Sequence, residues 1–291
     1  MPTDGIPPML GQSSPLKLRK YEGRLSDDNF RNHVIAAIGE FLGTTLFLFY
    51  GFLAAQIINS KPDNLSDAPS LLQLIFVASA FGVSGAVNVW LFYRVSGGHL
   101  NPAITIGLTL IGAVPVTRAL LLVSVQLLGG ILAASLVLAV TPGSLNVQTA
   151  LGNATSVKQG FFLEMILTAT LVLTVFMLAV EKHRTTPLAP LGIGLILFLD
   201  VLLAAQFSGG SLNPARSFGP AVVELNFATY HWIYWFGPIA GAVLAAAIFK
   251  VLKFLAYETA VAGQDHDGLD VYRLIDDAGG HEVDREIQLE V

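Results

Sequence analysis

The chain has 291 residues, of which 53% are hydrophobic and 13% are charged, and its mean hydropathy is +0.64. That charged share is about half of what soluble domains carry, which argues against a soluble enzyme and predicts a polytopic membrane protein. The formal net charge of −5 argues against a nucleic-acid partner, and the absence of cysteine removes disulfides, thiol nucleophiles and thiolate metal sites.

Six stretches of the sequence are long enough to cross a hydrocarbon core of about 30 Å, which takes about 20 helical residues. None of them alternates with a period of two, so they are predicted to be helices rather than barrel strands. In chain order they cover residues 34–58, 71–93, 114–140, 160–180, 188–207 and 230–254. Two further apolar pieces, residues 100–111 and 212–224, are too short to cross and are predicted to be re-entrant or interfacial segments.

The two ends of the chain are polar. Residues 1–33 carry five cations and precede the first apolar stretch, so they are expected to form a tail rather than a signal peptide. Lysines and arginines cluster in the connections on the same side as this tail, which predicts by the positive-inside rule that both termini are cytoplasmic. Residues 258–291 hold ten acids against two arginines and are expected to form an acidic, solvated tail. The membrane domain is accordingly predicted to span residues 34–257.

An internal repeat is the most informative feature of the sequence. The segment Ser-Gly-Gly-His-Leu-Asn-Pro-Ala that begins at Ser96 recurs, with one change, 112 residues later at Ser208. Glu40 and Glu164 each lie early in the first span of a half. Because three spans separate corresponding elements, the second half must be inverted relative to the first. Paired short segments in an inverted repeat mark a conduction or binding site.

Each repeat has asparagine before proline at the start of a short segment. Asparagine is a favoured helix cap and proline suits the first helical turn, so each segment is predicted to be a half-helix that starts at its asparagine. Entering from opposite faces, the two half-helices would direct their positive dipole ends and two amide donors at one point near the midplane. Such a point favours a neutral molecule with lone pairs and repels cations. The two triplets are Asn101, Pro102, Ala103 and Asn213, Pro214, Ala215.

These two triplets, with Arg216 after the second, resemble those of the aquaporins, or major intrinsic proteins. The resemblance covers about residues 33–255, and the run from Gly39 to Thr44 looks most like fungal members. It implies an all-α membrane protein with six transmembrane helices and two re-entrant half-helices in an inverted repeat. It further implies a homotetramer with one pore per subunit, in the plasma membrane as the expected location. The implied activity is passive, bidirectional water transport with exclusion of protons and ions, without a cofactor or enzymatic chemistry.

The resemblance also implies a narrow selectivity filter lined by Phe81, Val201, Gly210 and Arg216. Arg216 would supply fixed positive charge and donors to a passing oxygen, and Phe81 an apolar wall. Strict water channels commonly carry histidine at the position of Val201, so valine there and glycine at 210 leave more room. Glycerol-conducting members typically carry aspartate after the filter arginine, where this chain has Ser217. We therefore expect a water pore whose filter is wide enough for hydrogen peroxide, ammonia or glycerol to leak through.

Two alternatives to a strict water channel stay open. The first is a facilitator of glycerol, hydrogen peroxide or ammonia. The second, more remote, is a secondary transporter, which would need a coupling-ion site built from the few acids within the spans. Tyr21, in the N-terminal tail, is a candidate gate beneath the pore mouth.

The polar residues around the pore are expected to have supporting roles. Glu40 and Glu164 are predicted to hold loop N–H groups rather than to relay protons. His99 is predicted to line or brace the cytoplasmic vestibule. Asp200 has two interpretations: it approaches the filter in place of Val201 if that helix is rotated, or it is a hydrogen-bonded or partly hydrated carboxylate near the outer leaflet.

Overall fold

The computed structural model describes residues 30–60, 70–152 and 154–261. Tyr21, most of the predicted N-terminal tail and almost all of the C-terminal tail lie outside these ranges. Within them the chain is helical and contains no strand. The helices are α1 (Phe30–Asn59), α2 (Leu71–Phe92), α3 (Pro102–Leu110), α4 (Val116–Val140), α5 (Val157–Val175), α6 (Ala189–Ala204), α7 (Pro214–Val223) and α8 (Ile233–Phe254).

Within the described ranges, six helices are long and apolar enough to cross a membrane, and they correspond to the six predicted spans. The remaining two, α3 and α7, have 9 and 10 residues and begin directly after Asn101 and Asn213. The predicted fold class, six spans with two half-helices, is confirmed. We call the side on which α1 begins and α8 ends the termini side, and the other the loop side.

Helix boundaries differ from the predicted ones by a few residues, for local reasons. Helix α5 begins three residues early because Ser156 and Gln159 form a capping box, in which each side chain accepts from the other's backbone N–H. The final turn of that span is a π-helix, Phe176–Val180, rather than a continued α-helix. Helix α6 ends three residues early, because the chain must turn towards the second repeat.

The packing of the helices repeats the symmetry of the sequence. Helix α1 packs against α4 as α5 packs against α8, and α1 against α2 as α5 against α6. Each half-helix lies on the last helix of the opposite half: α7 contacts α4, and α3 contacts α8. The two halves are therefore interlocked, and neither encloses the interior alone.

Close approach of backbones fixes the position of α7. A Cβ atom at Gly130 of α4 would overlap the carbonyl oxygen of Ala215, and one at Gly219 would overlap the carbonyl oxygen of Gly130. Small residues of this kind allow helices to pack at short distance in a membrane, where there is no hydrophobic force between them. Since α7 carries the second triplet, this contact sets the depth of that triplet in the protein.

We predict that Gly130→Ala lowers the free energy of unfolding by about 1–3 kcal/mol, because the added methyl group must displace backbone rather than a mobile side chain. The matched control is Gly192→Ala, where a Cβ would meet only the end of the Leu178 side chain. That control should be neutral or stabilising, since alanine favours helix. Reversible unfolding in detergent micelles measures both variants, and equal stability of the two would contradict the assigned contact.

Candidate pore and filter

The turns before the two half-helices share an unusual backbone. Leu100 and Leu212 have φ angles of 52° and 54°, in the left-handed region that residues with a Cβ avoid. Two glycines with positive φ lie three and two residues before each leucine. A leucine held in this region costs on the order of 1–3 kcal/mol, so each turn needs specific partners to persist.

Glu40 supplies those partners in the first half. Its Oε2 accepts a hydrogen bond from the Leu100 N–H at 2.7 Å, and its Oε1 accepts from the His99 N–H at 2.9 Å and the Ser96 hydroxyl at 2.6 Å. The side chain is fully buried. On its other side, the amide nitrogen of Gln126 in α4 donates to Oε2 at 2.7 Å. The carboxyl group thus joins α1, α4 and the first turn.

Glu164 does the same in the second half. Its Oε2 accepts from the Leu212 N–H at 2.7 Å, and its Oε1 from the Ser211 N–H at 3.0 Å and the Ser208 hydroxyl at 2.7 Å. This side chain is also fully buried. The structure places both predicted support residues against loop N–H groups, in equivalent positions of the repeat.

The two half-helices meet end to end through their capping asparagines. Each side-chain Oδ1 accepts from the backbone N–H two residues later, at 2.8 Å for Asn101 and 2.9 Å for Asn213. Each Nδ2 donates across the interface: Asn101 to the Leu212 carbonyl at 2.8 Å, and Asn213 to the Leu100 carbonyl at 3.0 Å. A primary amide has two N–H donors, so one on each asparagine remains for a molecule between them. The cross-linking bonds were not predicted from the sequence.

A narrow cavity of about 30 Å³ lies where the half-helices meet. This volume accommodates about one or two water molecules. Its wall is mostly apolar, and its polar groups include the side chains of His99 and Ser211. All four predicted filter residues and both capping asparagines line it: Phe81, Val201, Gly210, Arg216, Asn101 and Asn213.

On the termini side the cavity continues into a vestibule of about 400 Å³. His99 lines both spaces and stands at their junction, with its Nδ1 3.2 Å from the Thr105 hydroxyl. At the rim, Lys182 donates to the Tyr93 hydroxyl at 2.9 Å. His99 is therefore located in the vestibule wall.

Arg216 is held at the loop side of the cavity. Its side chain is 5% exposed, and one terminal nitrogen donates to the Val147 carbonyl at 2.7 Å. Val147 belongs to the connection between α4 and α5, which Gln56 of α1 fastens: the Gln56 amide donates to the Ser144 carbonyl at 2.8 Å and accepts from the Asn146 N–H at 2.7 Å. Sequence reasoning missed Gln56; its signal in the sequence was a polar amide near the end of an apolar span.

Asp200 does not reach the filter. Val201 lines the cavity, whereas the Oδ1 of Asp200 accepts from the Thr170 hydroxyl of α5 at 3.3 Å. Its Oδ2 is buried and has no hydrogen-bond partner within the described residues. Of the two interpretations of Asp200, the structure therefore shows the hydrogen-bonded carboxylate between helices.

A polar side pocket of about 160 Å³ lies behind α7 on the loop side. Hydroxyl groups connect it to the pore wall: Thr149 donates to Ser217 at 2.7 Å, and Ser217 lies 2.5 Å from the Ser211 hydroxyl. His231 also lines the pocket, and its Nε2 is buried without a partner in the described part of the chain. Burial lowers the pKa of His231 below its usual value.

Six crossing helices and two half-helices that meet at a narrow cavity define a polytopic channel protein. A sequence model of the family described as Major intrinsic protein matches residues 28–249. The chain belongs to this family, whose aquaporins are channels rather than enzymes. The resemblance drawn from the two triplets is thereby confirmed.

Two fungal relatives are similar over most of the chain. Aquaporin-7 of Botryotinia fuckeliana (strain B05.10) is 53% identical over 240 residues, which are 81% of this chain and 53% of that protein. Aquaporin-1 of Gibberella zeae is 49% identical over 250 residues, 85% of this chain and 78% of that protein. The chain thus spans only about half the length of the first relative.

A solved structure shows the same fold. The X-ray structure of the aquaglyceroporin from Plasmodium falciparum superposes with a TM-score of 0.64 at 24% identity, over 76% of this chain and 95% of that one. At this identity the likeness supports the architecture alone.

We predict that Glu164→Gln lowers the free energy of unfolding by about 2 kcal/mol or more, because an amide offers one acceptor oxygen where the carboxyl group uses two. Asp200→Asn is the matched control, since that carboxyl group makes one long hydrogen bond and should tolerate the change within about 1 kcal/mol. Unfolding of the purified variants in detergent compares the two, and a similar loss in both would contradict the role given to Glu164.

A second prediction concerns His231. Because its pKa is lower in the folded protein than in the unfolded chain, folding excludes a proton that the unfolded chain binds below about pH 6.5. Lowering the pH from 7.5 to 5.5 should therefore reduce the melting temperature more in the wild type than in His231→Asn. Between pH 7.5 and 8.5 the two proteins should change alike. An equal acid-induced loss in both would show that His231 does not titrate in this way.

Proposed function

We propose that this protein is a passive, bidirectional water channel that excludes protons and ions. The observation that carries the proposal is the cavity of about 30 Å³ in which the two capping asparagines and Arg216 meet. A space of this size holds about one or two water molecules, and we infer that water passes through it in single file. Such flow follows osmotic gradients and needs no cofactor.

The polar groups of the cavity account for the exclusion of charge. The free amide hydrogens of Asn101 and Asn213 donate to the oxygen of a central water molecule, whose own hydrogens then point away from the centre. Water oriented in this way does not form a continuous proton-conducting chain. The N-termini of α3 and α7 direct positive partial charge at the same place, and Arg216 adds a full charge, so cations meet an electrostatic barrier.

A second candidate function is the passage of small neutral solutes, namely glycerol, hydrogen peroxide or ammonia. It is favoured by Val201, which offers no polar group to the cavity, and by Gly210, which has no side chain. Ser217 favours water instead, because its hydroxyl group is engaged with Thr149 and Ser211 and lies where glycerol-conducting members typically carry an aspartate. We therefore propose water, rather than these solutes, as the main transported molecule.

The proposal includes a setting in a lipid bilayer, as a homotetramer in the plasma membrane with both termini cytoplasmic. Large apolar side chains on the outward helix faces, such as Leu203, Phe236 and Leu128, are 55–62% exposed and suit lipid or a neighbouring subunit. The cations of the short connections, including Arg94, lie on the termini side, as the positive-inside rule requires of a cytoplasmic face. The domain limits 34–257 and the gating role of Tyr21 stay predictions.

Stopped-flow light scattering on proteoliposomes tests the proposed function, with vesicles challenged in parallel by sucrose and by glycerol. Fast shrinkage in both, without reswelling in glycerol, is the expected result for a water-selective filter. Rapid reswelling in glycerol would instead support the second candidate function. Shrinkage no faster than that of protein-free vesicles would refute the water channel.

Under the second candidate function, we predict that Val201→His lowers the ratio of glycerol permeability to water permeability at least about tenfold. The imidazole ring fills space beside Gly210 and offers a donor that suits water, whereas the valine offers neither. Val201→Leu is the control, because it adds bulk without a polar group. The same stopped-flow assay reports the ratio, and a ratio unchanged by both substitutions would show that position 201 does not line the narrowest point.

A further inference from the structure

The guanidinium group of Arg216 lies against two neighbouring phenylalanine rings. Its central carbon is 5.5 Å from the ring centre of Phe81 and equally 5.5 Å from that of Phe52. The two rings are nearly perpendicular, at 77°, with centres 6.4 Å apart. Phe81 lines the pore cavity, whereas Phe52, on α1, is fully buried and does not line it.

The local sequence of α1 makes this arrangement possible. Gly51, next to Phe52, leaves room for the Phe81 ring, because a Cβ atom at that position would overlap the ring. Phe81 therefore packs directly on the backbone of α1, and its ring is nearly perpendicular to those of Phe52 and Phe47. Phe52 directly follows Gly51 in α1, so the Phe52 and Phe81 rings together form one contact surface for Arg216.

The other contacts of the guanidinium group are few. It donates one hydrogen bond, to the Val147 carbonyl, and its Nε is buried without a partner in the described part of the chain. It makes no ion pair with a described carboxylate. A cation held over an aromatic face is attracted by the ring electrons, most strongly where water is excluded. With so few other bonds, the two ring faces contribute a large share of what fixes this group.

We propose that Phe52 is a positioning residue of the filter, which holds the Arg216 guanidinium group at its distance from the pore axis and so sets the aperture for neutral solutes. The proposal rests on the proposed function, in which Arg216 is the cation of the filter. Loss of the Phe52 ring lets the guanidinium group move towards the vacated space, which widens the passage without changing any residue that lines it.

The test measures the ratio of glycerol to water permeability in proteoliposomes for Phe52→Leu, Arg216→Val and the double variant. Phe52→Leu should raise the ratio about fivefold or more, the scale of a desolvated cation–π contact. The double variant should have the ratio of Arg216→Val alone, because Phe52 acts through the arginine. Phe52→Tyr keeps an aromatic ring face at this position and should have the wild-type ratio.

Phe176→Leu is the matched control, because Phe176 is equally buried and packs on a neighbouring ring, Phe249, but does not contact Arg216. It should leave the ratio unchanged. Should Phe52→Leu fail to fold, Phe52→Met replaces it, since a flexible apolar chain fills similar space without a ring.

Three results would overturn the inference. The first is a wild-type ratio in Phe52→Leu while Arg216→Val raises it. The second is an equal rise from Phe52→Leu in the presence and absence of Arg216, which would indicate altered packing rather than positioning. The third is an unchanged ratio in Arg216→Val, which would refute the filter role of Arg216 itself and this inference with it.

Discussion

Two buried carboxyl groups determine the geometry on which the rest of the pore depends. A half-helix can point into a membrane protein only if the chain turns sharply before it, and here each turn passes through a leucine in the left-handed region. Such a turn exposes backbone N–H groups in a setting without water, where an unpaired group costs several kcal/mol. Glu40 and Glu164 each accept two of these N–H groups and a serine hydroxyl, which satisfies the turn and holds it in its strained form.

The carboxyl groups act together with the capping asparagines, and each contact limits the freedom of the next. The turns orient the leucine carbonyls towards the opposite asparagine, whose amide nitrogen donates to them. The two re-entrant loops are thereby fastened to each other as well as to their own halves. Glycine contacts between α4 and α7 fix the remaining degree of freedom, the depth of insertion. The narrow point of the cavity is therefore defined by backbone and buried polar groups rather than by mobile side chains.

Much of this could be predicted from the sequence, because the responsible signals are local or repeated. Apolar length predicted the six spans, and the Asn-Pro order predicted where both half-helices begin. The contacts that were not predicted join residues far apart in the chain: Gln56 with the connection at 144–146, and each asparagine with the opposite loop. The rotation of α6, which decides between Asp200 and Val201, depends on packing against α2 and α5. Because α6 is apolar on all sides, its sequence has no hydrophobic periodicity from which this rotation could be predicted.

The internal repeat places equivalent residues at the two mouths of the channel, but different parts of the chain hold them. Position 105 corresponds to 217, and 99 to 211, 112 residues apart in each case. On the termini side, the Thr105 hydroxyl accepts a hydrogen bond from Gln126, which belongs to the membrane helix α4 and also donates to Glu40. On the loop side, the Ser217 hydroxyl accepts a hydrogen bond from Thr149, which belongs to the connection between α4 and α5. The termini-side mouth is therefore held by a membrane helix and the loop-side mouth by a connection between helices, so sequence variation can remodel the loop-side entrance while the termini-side entrance keeps its chemistry.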